Sequence, residues 1–269
     1  MTLSERNTFF KAGIVFCAVC ALLILAASFL TIPVYPEMEE NTRRPEIAFL
    51  TSSYYAVHVS LILAVLFSLI GLLLIHHFFE RTSAPEILYI AIFTISFSFE
   101  ATRLILPLSL VFNFPSLYIR AASQILLFAR FFGLFSLFAA SLCAAGLEVQ
   151  KTRNILFIIV IATLIITMRV PIDVLNWDTS LNMVTGYASL FRMIGTVAFL
   201  TTMISFLIAA KIRGSKEYIY VAIGTMAAIA GRSILLGADN WISPIPGILL
   251  LAFGTWFLCS KLHKIHLWL

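Results

Sequence analysis

The side chains with chemical potential are mostly arginines. Arg103, Arg120, Arg130, Arg169, Arg192 and Arg232 all fall in stretches that are otherwise almost wholly apolar, and Glu100 and His58 lie in the same kind of surroundings. The planar guanidinium fork grips a carboxylate or a phosphate with two parallel hydrogen bonds. At the centre of a lipid-facing helix such a group costs roughly 2.5–3.5 kcal/mol on insertion scales, so most of the set is expected to face the interior of a helix bundle or a water-filled cavity. Some of it could be self-neutralising. Glu100 and Arg103 are three residues apart, Arg169 and Asp173 one helical turn, and Arg232 and Asp239 two turns. Arg130 and Arg192 have no acid within reach by spacing, and an unpaired buried guanidinium is expensive. A surplus of positive charge in a closed pocket calls for an anion. The competing expectation is a purely structural network in which several arginines share Glu100.

Helical spacing gathers these residues onto faces. Ser96, Glu100, Arg103 and Pro107 are spaced 4, 3, 4, and Thr185, Ser189, Arg192 and Thr196 repeat that pattern. Arg120, Ser123, Leu127 and Arg130 follow 3, 4, 3, and Thr225, Ala228 and Arg232 share a further face. Counted from the outer boundary at about 1.5 Å per residue, Arg169 and Arg232 lie roughly 9 Å deep and His58, Arg103 and Arg192 roughly 12 Å. By the same count Arg130 lies roughly 18 Å deep, near the midplane, as does Glu100, while Arg120 is close enough to the surface to snorkel. The candidate ligand-binding set is therefore His58, Glu100, Arg103, Arg130, Arg169, Arg192 and Arg232.

The elements that must position them are membrane spans. The 269 residues are 61% hydrophobic and only 12% charged, against about a quarter charged in an average soluble chain. A span needs about 20 apolar residues. Eight stretches qualify: 11–33, 50–77, 86–112, 117–146, 153–175, 184–210, 217–237 and 243–262. The expected fold is an all-α integral membrane protein, one polytopic domain over 1–269 built as an eight-helix bundle. The first stretch runs on into an acidic, proline-bearing segment without a small-residue cleavage pattern, and so reads as a retained helix.

Basic residues set the orientation. With the N-terminus inside, Arg6, Lys11, Arg81, Lys151, Arg153, Lys211, Arg213, Lys216, Lys261 and Lys264 are cytoplasmic, and only Arg43 and Arg44 are outside. The outer loops carry Glu37, Glu39, Glu40, Glu46, Asp173, Asp178 and Asp239. This predicts N-in and C-in, in a bacterial-type cytoplasmic membrane. The net charge of +5 comes from unequal sides and offers no soluble basic surface to nucleic acid.

Other motifs carry less. Cys17 and Cys20 share a face of the first helix and read as small packing residues, since two cysteines do not complete a zinc site. His76 and His77, with His263 and His266, read as an interfacial basic fringe, and haem would need facing histidines at one depth. No cofactor or metal is expected. Gly224, Ala227, Ala228 and Gly231 form a small-residue packing face. No nucleophile elbow, zincin or phosphate-loop motif is present. An enzyme would have to use His58 or Glu100 as acid or base on a lipid held by the arginines.

Residues 50–262 resemble, in layout and texture, the seven-helix membrane module of bacterial receptors with diverse intracellular signalling outputs. The resemblance rests on "APEILYIAIFTISFSF" entering the third helix, the short "RTSAPE" turn before it, and "SKEYIYVAIGTMAAIAGRSILL" leading into the last helix. It implies ligand sensing from outside and signal transfer inward. Here a first helix, 11–33, stands where that family carries an extracellular domain, and no output domain follows, so a cytoplasmic signalling partner is expected. The function expected is a non-enzymatic receptor or binding protein for an anionic small molecule or lipid headgroup, in contact with membrane lipids. A transporter of such an anion and a lipid-modifying enzyme are the alternatives.

Overall fold

A computed structural model describes residues 3–40, 51–80, 84–146 and 152–267. It is all-α apart from one small hairpin. The helices are α1 (Leu3–Thr31), α2 (Tyr35–Glu40), α3 (Tyr54–Phe79), α4 (Pro85–Ser96), α5 (Ile105–Phe112), α6 (Ser116–Ala144), α7 (Thr152–Met168), α8 (Ala188–Ile212), α9 (Glu217–Leu236) and α10 (Pro244–Leu267). Among the described residues, seven spans are long and apolar enough to cross a membrane; α7 is apolar but has only 17 residues. The expectations attached to Arg43, Arg44, Glu46, Arg81 and Lys151 lie outside the described residues.

The third span is the axis of the bundle. From Glu86 to Thr94, α4 is buried on every side, against α1, α3 and α6; a helix apolar all round belongs in a core. It passes into a 3-10 segment, Phe97–Leu104, and resumes as α5. Eight residues is long for a 3-10 helix. Two local causes act together. The Pro107 ring clashes with the carbonyl four residues back, that of Arg103. Ser96 and Thr102 donate to the carbonyls of Phe93 and Phe99, three residues back, and hydroxyls bonded in this way bend helices. With three residues per turn, Phe97, Glu100 and Arg103 stand directly above one another, and all three are buried. Ser98, on another face, donates to Ser68 Oγ at 2.7 Å and to Cys17 Sγ at 3.1 Å, tying the segment to α3 and α1.

The two ends of the bundle are fastened differently. At one end Arg6 donates to Phe79 O, Tyr89 to Thr152 O, Arg213 to Cys143 O, and Lys261 and Lys264 pair with Glu217. At the other, Asp239 collects Ser52 and Thr179 through its carboxylate and Ser53 N–H through its carbonyl. The α7 start lies at the first end and the segment after it at the second. The tightest packing is between α9 and α10. A Cβ on Gly231 would lie 2.3 Å from Leu251 N, and one on Gly254 would lie 2.4 Å from Ala228 N.

The fifth and sixth predicted helices need correction. The chain leaves α7 at Met168 and forms an antiparallel hairpin, β1 (Ile172–Trp177) with β2 (Met183–Thr185), before α8 begins at Ala188. Pro171 has no N–H to continue the helix. The residues 169–175 and 184–187 that were assigned to spans are therefore backbone of a cap at the bundle end. The turn is held by Asp178, whose Oδ1 accepts from Ser180 N, Ser180 Oγ and Asn182 N, while Oδ2 accepts from Asn182 Nδ2. These bonds keep Leu181 in the left-handed region at φ 57, costly for a residue with a branched side chain, and bury it.

Candidate functional site

Glu100 organises the site. Its carboxylate is 1% exposed and is gripped side-on by Arg130 of α6, Nε to Oε1 at 2.8 Å and Nη2 to Oε2 at 2.6 Å. Arg103 approaches the same Oε2 through Nη1 at 3.5 Å, a weaker contact, and also donates from Nη1 to Leu236 O of α9 at 3.3 Å. Arg232 of α9 donates from Nη2 to the Arg130 carbonyl at 2.9 Å. The 3-10 segment, α6 and α9 thus bring three arginines around one carboxylate. Arg130 Nη2 has a further partner, Asn182 Oδ1 of the hairpin, at 2.9 Å.

A cavity of about 350 Å³ opens beside this cluster, walled by the 3-10 segment, α5, α6 and the hairpin. Arg103, Arg130, Asp178 and Asn182 supply its charged and polar functions, and Leu106, Leu126, Leu127, Leu181 and Met183 much of the rest. Arg103 is a wall residue with a fully buried side chain. Its Nε and Nη2 find no hydrogen-bond partner among the described residues. That is the same edge of the guanidinium with which Arg130 holds Glu100.

Four of the expected residues, Glu100, Arg103, Arg130 and Arg232, come together in the structure, and three do not. His58 is buried elsewhere, between α1, α2 and α3. Ser28 Oγ lies 2.7 Å from its Nε2 and the Tyr35 hydroxyl 2.8 Å from its Nδ1, so both ring nitrogens are engaged. Arg169 and Arg192 are exposed. The hairpin explains this: Arg169 is the first residue past α7, and Arg192 is only about 6 Å from the start of α8, so both sit at the bundle end within snorkelling reach of headgroups.

The pairings also change. Asp173, on β1, turns to its own strand, accepting from Asn176 Nδ2 and Leu175 N, which hold its carboxyl below the usual carboxylate range. Asp239 binds hydroxyls of Ser52 and Thr179, whereas Arg232 goes to a helix carbonyl. The face Thr185, Ser189, Arg192, Thr196 does not line the interior: Thr185 belongs to β2 and the other three are exposed. The inward face of α8 is Ala198, Thr202, Phe206 and Ala209. A polar stripe misleads here because Thr196 and Thr201 satisfy their hydroxyls on carbonyls of their own helix.

Asp178 and Asn182 were missed as members of the site. The signal was present in "NWDTSLN", a turn-forming run that begins five residues after Pro171. No protein-family model matches the chain, and comparison with curated proteins and with solved structures returns no match.

Proposed function

We propose that the chain is a multi-pass membrane receptor or binding protein that takes an anionic small molecule or a lipid headgroup into the cavity beside Glu100. In this reading it crosses a bacterial-type cytoplasmic membrane eight times, α7 included, N-in and C-in, with the hairpin end outward. The basic residues at the Arg6, Arg213 and Lys261 end support that orientation through the positive-inside bias. A cytoplasmic signalling partner would read the occupied state.

One observation carries the proposal: Arg103, whose side chain is buried at the cavity wall, has an Nε–Nη2 edge with no hydrogen-bond partner among the described residues. Leaving buried donors of a charged group unmet is costly. An oxyanion supplies the acceptors that edge lacks. A transporter is less well supported, because the cluster is cross-bonded between the third span, α6 and α9. The enzyme reading is less well supported, since neither His58 nor Glu100 lines the cavity and the Glu100 carboxylate is held by Arg130.

The test is direct binding. Protein in phosphatidylcholine nanodiscs is titrated calorimetrically with acetate, succinate, inorganic phosphate and octanoate. At least one should bind, and Arg103→Gln should weaken it tenfold or more while Arg192→Gln leaves it unchanged. Equal binding by the Arg103 and Arg192 variants, or no binding of any anion, overturns the proposal.

A further inference from the structure

We infer that the occupant of this cavity is a singly charged aliphatic oxyanion, a carboxylate or phosphodiester head joined to an alkyl chain. This rests on the binding reading above and narrows it to a ligand class. Three features point the same way.

The first is the shape of the unmet donor edge of Arg103, buried at the cavity wall. Arg130 shows what such an edge does in this protein: Nε and Nη2 take the two oxygens of one carboxylate side-on. Arg103 presents the equivalent pair of donors, Nε and Nη2, with Nη1 already engaged by Glu100 and Leu236 O. A group with two geminal oxygens matches that edge; an alcohol, an amide or a halide does not.

The second is charge. Arg103, Arg130 and Arg232 bring three positive charges, and Glu100 and Asp178, the latter a cavity residue, bring two negative ones. The surplus is a single positive charge. A monoanion neutralises it, whereas a dianion would face the Asp178 carboxylate with a charge to spare, and like charges in a partly closed pocket repel strongly.

The third is the rest of the wall. Beyond Arg103, Arg130, Asp178 and Asn182 the lining is Leu, Ile, Met, Val and Ala with a few hydroxyls, and among the cavity residues there is no aromatic ring. Nucleobases, flavins and aromatic acids are usually held by stacking on such rings. An aliphatic wall suits an alkyl chain. The cavity volume of about 350 Å³ lies at the small end of the range of roughly 300–1,000 Å³ usual for small-ligand sites.

Such a ligand could be a free medium-chain acid or an anionic lipid of the bilayer. The probe is octanoate, titrated into protein in phosphatidylcholine nanodiscs and, separately, in nanodiscs containing phosphatidylglycerol, with octanol and succinate as controls. The inference predicts saturable 1:1 octanoate binding in phosphatidylcholine, at least tenfold tighter than either control. Arg103→Lys, which keeps the charge and loses the paired donors, should weaken it about tenfold, and Leu127→Trp, which fills the apolar wall, should weaken octanoate but not acetate. Thermal melts of both variants verify that they are folded. Octanoate displaced in phosphatidylglycerol discs assigns the site to lipid; octanoate unaffected there assigns it to the free acid. Octanol binding as well as octanoate overturns the inference, because the head is then unread. Succinate or phosphate binding more tightly, with loss in Arg103→Gln, overturns the ligand class and leaves the anion-binding reading standing. No binding by any anion ends both.

Discussion

At the residue scale, Glu100 matters more than any arginine. It is the carboxylate on which Arg130 closes with two bonds and towards which Arg103 leans. Breaking a buried ion pair by removing one partner typically costs about 3–5 kcal/mol, because the other charge is left uncompensated. Glu100→Gln should therefore destabilise the protein by about that amount, measured as unfolding in detergent. Arg192→Gln, at an exposed position, should stay within about 0.5 kcal/mol of the parent. The depth count put Glu100, Arg103, Arg130 and Arg232 in the outer half of the bundle, and that much of the site was legible in the sequence. It put His58, Arg169 and Arg192 there as well, and these the structure places elsewhere. The partners of the first four were not legible. Spacing within one helix offered Arg103 to Glu100, yet the stronger grip comes from Arg130, thirty residues away on another helix. Hydrogen bonds such as Arg232 to the Arg130 carbonyl have no sequence signature at all.

At the element scale, the hairpin and the 3-10 segment set the site's shape. The Asp178 carboxylate holds the turn that carries Asn182 to Arg130. Asp178→Ala should free Leu181 from its left-handed backbone and raise amide hydrogen exchange across residues 172–185 while sparing α9 and α10. The glycines give a second contrast. Gly231→Ala forces a methyl against the α10 backbone and should destabilise by about 1–3 kcal/mol. Gly195→Ala meets only Leu134 Cδ1, at 3.9 Å, and should stabilise by about 0.5–1 kcal/mol through helix propensity. Paired melting curves measure both. Helix ends were readable because apolar runs stop abruptly: the third stretch, 86–112, is observed as Pro85–Phe112, and the seventh, 217–237, as Glu217–Leu236. The hairpin was hidden because Val170, Ile172, Val174 and Leu175 extend the apolar run of α7 between Arg169, Pro171 and Asp173. The 3-10 winding was hidden because Phe97, Glu100 and Arg103 fit a 3.6 period nearly as well as a period of three.

At the scale of the whole molecule, the two ends differ in chemistry as well as in charge. One is fastened by arginine and lysine side chains on carbonyls and on Glu217, the other by the hydroxyls and carboxylates around Asp239 and Asp178. Orientation is measurable. None of the free cysteines is exposed, so labelling by an impermeant maleimide starts from a low background. Leu175→Cys on the hairpin should react in intact cells, and Lys216→Cys between α8 and α9 only after lysis. The reverse pattern would invert the molecule and put the cavity on the cytoplasmic side.

The winding of Phe97–Leu104 has a mechanical consequence. A 3-10 helix turns about 120° and rises about 2.0 Å per residue, against about 100° and 1.5 Å in an α-helix. Over eight residues the difference accumulates to roughly 160° of rotation and 4 Å of length. The third span is thus an overwound screw whose thread carries Glu100 and Arg103. Relaxing that thread would turn α5 against α4 by nearly half a revolution, so the charge cluster and the relative twist of the two half-helices are a single coordinate.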